Sequence, residues 1–210
     1  PCTMNFSKLT VNDFKINIKN KNILNIIEII PNKLESNHLK LNIKDLNLGD
    51  EFIPSIHNDL LKIAVIERHK NTGNIGLGII NGLKIESGAI ATTIAHDSHN
   101  LIVCGTNDLD MLKAIENLKN IQGGISICKD GKILASLSLE VGGLITERPV
   151  DEVLKDLENL HNAIDIIAPK INFNPFLTLS FLSLPVIPSL KITDKGLFNV
   201  DKFSFIDVAE

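Results

Sequence analysis

The chain has 210 residues, enough for one sizeable domain or a domain with an appendage. Its net charge of −4 and its lack of tryptophan and tyrosine leave neither a basic patch nor a stacking platform, which argues against nucleic acid or an anionic membrane as partner. No apolar run approaches the roughly 20 residues of a membrane-spanning helix.

The three cysteines, Cys2, Cys104 and Cys128, form no Cys-x-x-Cys pair. An odd count at unrelated spacings reads as reduced thiols in a cytoplasmic protein. Cys104 and Cys128 lie in apolar runs and are expected to be buried core thiols. No signal-peptide pattern opens the chain. It starts at Pro1, as a fragment or a processed product would.

Residues 14–19 alternate apolar and polar side chains and predict a half-buried strand. Residues 23–30 predict a second strand, stopped by Pro31, and residues 39–43 a third. Three short strands bury little alone, so this part is expected to pack on something else. Residues 49–54 read as a linker. The mostly apolar run 60–66 predicts a central strand that delivers Glu67, Arg68 and His69 at its end. Gly73, Gly76 and Gly78 follow. Their spacing is neither the dinucleotide fingerprint nor a phosphate loop, and predicts a tight loop with close backbone approach.

Residues 89–95 and 101–104 predict two strands joined by the polar tip His96-Asp97-Ser98-His99-Asn100. Asn107 is a helix cap, with Asp110 reaching back, and Leu112, Ile115 and Leu118 repeat at helical spacing up to Gly123-Gly124. A hairpin follows, turning at Asp130-Gly131. Gly142-Gly143 breaks the pattern. Pro149 suits a first helical turn, and Val150, Val153, Leu154, Leu157, Leu160, Ile164 and Ile167 mark the buried stripe. The apolar, proline-rich tail 174–188 is expected to be a buried irregular segment, with a turn at 194–196 and a final edge strand around Phe203, Phe205 and Val208. The predicted fold class is α+β, a mainly antiparallel sheet with two principal helices, preceded by a short β-strand segment.

Groups with chemical potential gather in 67–100. His96 and His99 with Asp97 between them could ligate a metal, if the turn brings them together and Glu67 or His69 approaches. Asp97, Ser98 and His99 are neighbours in sequence, which rarely makes a working nucleophilic triad. The plainer alternative is a turn whose polar groups satisfy its own backbone. Glu67, Arg68 and His69 read equally as a polar-ligand site or a charged strand end. His38, His57 and His161 have no polar company in the sequence and read as surface or cap residues.

Arg68-His69, Thr72-Gly73-Asn74-x-Gly76-x-Gly78, the tip 95–100 and Gly105-Thr106-Asn107 together resemble the C-terminal part of bacterial adenine deaminase. So do Pro175-Phe176, Leu179-Ser180-Phe181-Leu182, Leu184-Pro185-Val186-Ile187-Pro188 and Thr193-Asp194-x-Gly196-Leu197. The resemblance is good from residue 60 onward and weak over 1–56. It implies that residues 1–56 are part of a small β-sandwich plus linker, and 57–210 the α+β C-terminal domain. The family's catalytic part is a (β/α)₈ barrel with a two-metal centre whose hydroxide attacks adenine and releases hypoxanthine and ammonia. This chain has no His-x-His motif and is too short for a barrel of about 250 residues as well. The divalent metal, manganese or iron, is therefore expected in the barrel and not in this chain. The expected partners are that barrel, adenine in the full-length enzyme and a homo-oligomer. Candidate lining residues are Glu67, Arg68, His69, Asn74, Asp97, Ser98 and His99, on a domain inactive by itself. The alternatives are a subunit-interface module and a small metal-dependent hydrolase using His96 and His99.

Overall fold

A computed structural model describes residues 4–210, so Cys2 lies outside the described residues. The strands are β1 (Ile23–Ile29), β2 (Ser36–Asn42), β3 (Leu60–Ile66), β4 (Ile75–Asn81), β5 (Ala89–Thr92), β6 (Leu101–Gly105), β7 (Gly124–Lys129), β8 (Lys132–Ser138), β9 (Leu190–Thr193), β10 (Gly196–Asn199) and β11 (Ser204–Ile206). The helices are α1 (Asp108–Asn120), α2 (Val150–Ile167) and α3 (Pro175–Leu182). Eight strands form one sheet in the order β2-β1-β4-β3-β6-β5-β7-β8, and β9 to β11 form a second. In the large sheet only β1 and β4 pair in parallel. The fold is α+β, as the alternation of strand and helix patterns predicts.

Burial follows the two-residue period of the strands. Leu61, Ile63 and Val65 of β3 join Ile90, Ile102 and Ile127 on one face, covered by Leu160 and Ile164 of α2, Leu179 of α3 and Leu190 and Ile192 of β9. The opposite face carries smaller side chains, Ala64, Ala89 and Ala91 among them. There α1 packs closely through Met111, Ala114, Ile115 and Leu118. Every residue of β3 is buried, as its unbroken apolar run requires of a central strand. Cys104 and Cys128 are buried thiols on opposite faces, and burial pushes the Cys128 thiol up to about 12.

Several expectations are corrected. Residues 14–19 are not a strand. Val11–Phe14 form one 3₁₀ turn, and beyond it only Asn17 bridges, to Glu51. The alternation there buries Phe14, Ile16 and Ile18, and residues 16–18 pair with 50–52 through the Ile18 amide and the Ile16 carbonyl, a pairing too short to make a strand. Part of the tail expected to be irregular is a short helix, α3, beside the two principal helices. Asn174 accepts hydrogen bonds from the amides of Phe176 and Leu177, and Pro175 occupies the first turn, where its missing N–H costs nothing. Its side chains have no amphipathic period, so the hydrophobic pattern hides it. On α2, Val150 and Leu154 are exposed. The stripe that packs on the sheet is Val153, Leu157, Leu160, Ile164 and Ile167. Gly76 and Gly78 lie inside β4, not in a loop, and the close approach is real. A Cβ on Gly76 would collide with the carbonyl oxygen of Thr193 in the β9–β10 turn. The last strand, β11, edges the small sheet.

Candidate functional site

β3 ends at Ile66, and the next residue turns inward. The Glu67 carboxylate is buried and accepts hydrogen bonds from the backbone amides of His69, Lys70 and Thr72 and from the Thr72 hydroxyl. Burial alone would raise its pKa. The converging donors outweigh it and hold the group at about 2. Loop 67–74 is thus folded around its own carboxylate. At its far end the Asn74 side-chain amide donates to Asp194 at 2.8 Å, which fastens the loop to the small sheet.

Arg68 is fully buried. Its Nε donates to the carbonyl of His99 at 2.6 Å and Nη2 to the carbonyl of Gly142 at 2.9 Å. Desolvation lowers its pKa to about 10, so the guanidinium stays charged at neutral pH. Gly143 has positive φ, and a Cβ there would press on the guanidinium and on Thr93 Oγ1. Arg68 therefore joins three segments: its own loop, the tip 96–100 and the turn 141–145.

The tip 96–100 is held mostly from outside. The His96 amide donates to the Ser180 carbonyl, and the Ser183 hydroxyl donates to the His96 carbonyl, both partners coming from α3 or its C-cap. The His96 ring lies 4.6 Å from the Phe181 ring, centroid to centroid. The His99 amide donates to the Ala95 carbonyl at 2.6 Å. His99 Nδ1 accepts weakly from the Ala95 amide at 3.4 Å, which puts the proton of neutral His99 on Nε2. Burial, and then His96 and Arg68 nearby, lower its pKa and keep it neutral. Asn100 is buried, and its Oδ1 has no hydrogen-bond partner among the described residues.

Loop and tip meet where His69 Nε2 donates to the Ser98 carbonyl at 2.9 Å, leaving Nδ1 of neutral His69 as an acceptor. Of the seven residues singled out in the sequence, His69, Asp97 and Ser98 are exposed, His99 and Asn74 are half-buried, and Glu67 and Arg68 face inward. The His96 and His99 rings meet edge to face, 5.3 Å apart. No group of three or more His, Cys, Asp or Glu side chains that could hold a metal ion is gathered among the described residues.

Some contributors escape sequence reasoning. Asn5 donates from its amide to the Arg68 carbonyl and from its side chain to the His69 carbonyl, and the Ser7 hydroxyl donates to Asn71. Gly142-Gly143 stood out as a break, but nothing local names Arg68 as its partner. His38 is not a bare surface residue. Its Nε2 donates to Asn25 Oδ1 at 2.7 Å and its Nδ1 accepts from Asn199, while Asn25 donates onward to Asp207. His161 Nδ1 donates to the Leu157 carbonyl one turn back.

The sequence that builds these elements matches a known domain family. The family model for the adenine deaminase C-terminal domain covers residues 35–204. The chain belongs to this family. Adenine deaminase of Geobacillus kaustophilus is 52% identical over 197 residues, 93% of this chain and 33% of that protein. Adenine deaminase of Bacillus licheniformis is 50% identical over 206 residues, 98% of this chain and 35% of that protein. That of Lysinibacillus sphaericus is 45% identical over 206 residues, with the same coverage. The chain thus spans about a third of the adenine deaminases it matches. No helix among its described residues is long and apolar enough to cross a membrane.

Proposed function

We propose that this chain is the accessory domain of an enzyme that hydrolyses adenine to hypoxanthine and ammonia, and that it caps the catalytic domain with loop 67–74 and tip 96–100. The observation that carries the reading is the junction of the two. His69 and Ser98 bring exposed polar side chains together on a base of buried, fully bonded charge. A purine presents ring nitrogens that accept and N–H groups that donate. His69 Nδ1 is an acceptor, neutral His99 carries its proton on Nε2, and Ser98 can do either.

In this reading Glu67, Arg68 and Asn74 position the loops, and His69, Asp97, Ser98 and His99 face the partner domain and its purine. The contribution is orientation and water exclusion. The divalent metal, manganese or iron, sits in the other domain. Among the described residues no three His, Cys, Asp or Glu side chains gather to hold one.

The test is steady-state kinetics of a full-length protein carrying Ser98→Ala or His99→Ala. The expected loss is about 10-fold or more in kcat/KM. Unchanged kcat and KM for adenine in both variants would overturn the capping role.

A further inference from the structure

We infer that the exposed apolar side chains of segment 141–154 form the contact surface for the catalytic domain of the same polypeptide. This rests on the capping reading and extends its interface beyond the polar loops. Val141, Ile145, Val150 and Leu154 are 44%, 63%, 71% and 57% exposed, four large apolar side chains within 14 residues. None is needed by the chain's own core, since α2 packs through Val153, Leu157, Leu160, Ile164 and Ile167. Single exposed apolar residues are ordinary, but a run on consecutive turns is the mark of a contact site.

The segment is held rigidly. Val141 and Ile145 exchange backbone hydrogen bonds across the turn. The Glu140 carboxylate accepts from the Glu147 amide and the Thr146 hydroxyl, and Arg148 pairs with Glu152 and Asp156. A surface ordered before contact loses little entropy on docking. Arg68 then connects it to the site, with one guanidinium spanning the Gly142 and His99 carbonyls. A body resting on this turn is therefore positioned relative to the polar tip.

Two observations select the occupant. The matched adenine deaminases are about three times the length of this chain, and the matched family is a C-terminal domain, so in those proteins the bulk lies upstream of the matched region. Asn5 and Ser7 are hydrogen-bonded to residues 68, 69 and 71, which brings the upstream chain in beside Arg68. The rim is mostly acidic: Glu140, Glu147, Asp151 and Glu152 are exposed beside one exposed lysine, Lys155, and Arg148 is already paired. The complementary surface is an apolar hollow edged by lysine or arginine.

Hydroxyl-radical footprinting tests this, comparing the full-length protein with the 210-residue chain and with a full-length Ile145→Asp, Leu154→Asp variant. The expected result is oxidation of Val141 and Val150 slowed by about threefold or more in the full-length protein, independent of dilution, and restored in the variant. Because the variant reads the contact within the full-length protein, the comparison holds even if the short chain is less stable alone. Unslowed oxidation would overturn the inference, and so would protection that disappears on dilution, which would assign the face to a second copy. His69 and His99 report separately. Protection there without protection of 141–154 leaves capping intact and removes this contact. Protection of 141–154 alone keeps the contact and removes capping.

Discussion

Loop 67–74 and tip 96–100 meet at one point and are built in opposite ways. The loop is organised from within. One carboxylate, Glu67, collects three amides from the five residues that follow it, those of His69, Lys70 and Thr72. The tip is organised mostly from without, by α3, Arg68 and His69, with one strong bond of its own, from the His99 amide to the Ala95 carbonyl. A self-folded loop keeps its shape when its surroundings change, whereas a tip held by borrowed bonds moves with whatever moves α3 or Arg68. That asymmetry fits a site in which one side is fixed and the other can respond to a docking domain.

The comparison breaks most severely at Arg68. Arg68→Ala removes the donors to the His99 and Gly142 carbonyls and leaves a cavity where the fully buried side chain stood, so a loss of about 3–5 kcal/mol in urea unfolding is expected. Glu67→Ala removes the hub of the loop and strands three amides, for about 2–3 kcal/mol. Its pH signature is distinct. The folded pKa lies below the usual carboxylate value, so Glu67 stabilises the fold above about pH 4.5, and that contribution fades as pH falls toward about 2. An acid-unfolding series should show this dependence in the parent chain and lack it in Glu67→Ala.

His38 gives a milder dependence in a higher window. Burial first, then Lys40 and Lys202 against Glu210 and Asp201, lower its pKa. The folded state prefers the neutral ring, so stability is full above about pH 6.5 and declines below it. His38→Gln should flatten that limb of a melting-temperature profile. Ser183→Ala removes one hydrogen bond to the tip and should cost about 1 kcal/mol, with the His96 and His99 resonances shifting more than those of loop 67–74. Ser98→Ala, at an exposed position, should change stability by under about 0.5 kcal/mol while carrying its effect in full-length kinetics.

Much of this was legible in the residues. The apolar run of β3, the Asn107 cap, the hairpin at Asp130-Gly131 and the polar tip between β5 and β6 are local patterns, and each stands where its pattern put it. What failed was non-local. The strand expected at 14–19 had the alternation, but its pairing with residues 50–52 is confined to a single bridge. α3 had the cap at Asn174 but no amphipathic period, because the exposed Leu177 is as apolar as the buried Pro175, Leu179 and Leu182 on the other face. Val150 and Leu154 fit the helical spacing of α2 yet face away from the sheet, since the helix's angle on the sheet chooses which of two adjoining stripes is buried.

The sequence by itself determined the kind of fold, the family and the two polar segments, since hydrophobic period, capping chemistry and motif order reside in near neighbours. The tertiary structure alone decided which polar groups are scaffold and which are surface. Glu67 and Arg68 are as polar in the sequence as His69 and Asp97. Only the arrival of residues 99 and 142 from elsewhere in the chain gives Arg68 the carbonyl partners that let its charge be buried. Buried polarity depends on partners, and partners distant in sequence are set by the fold.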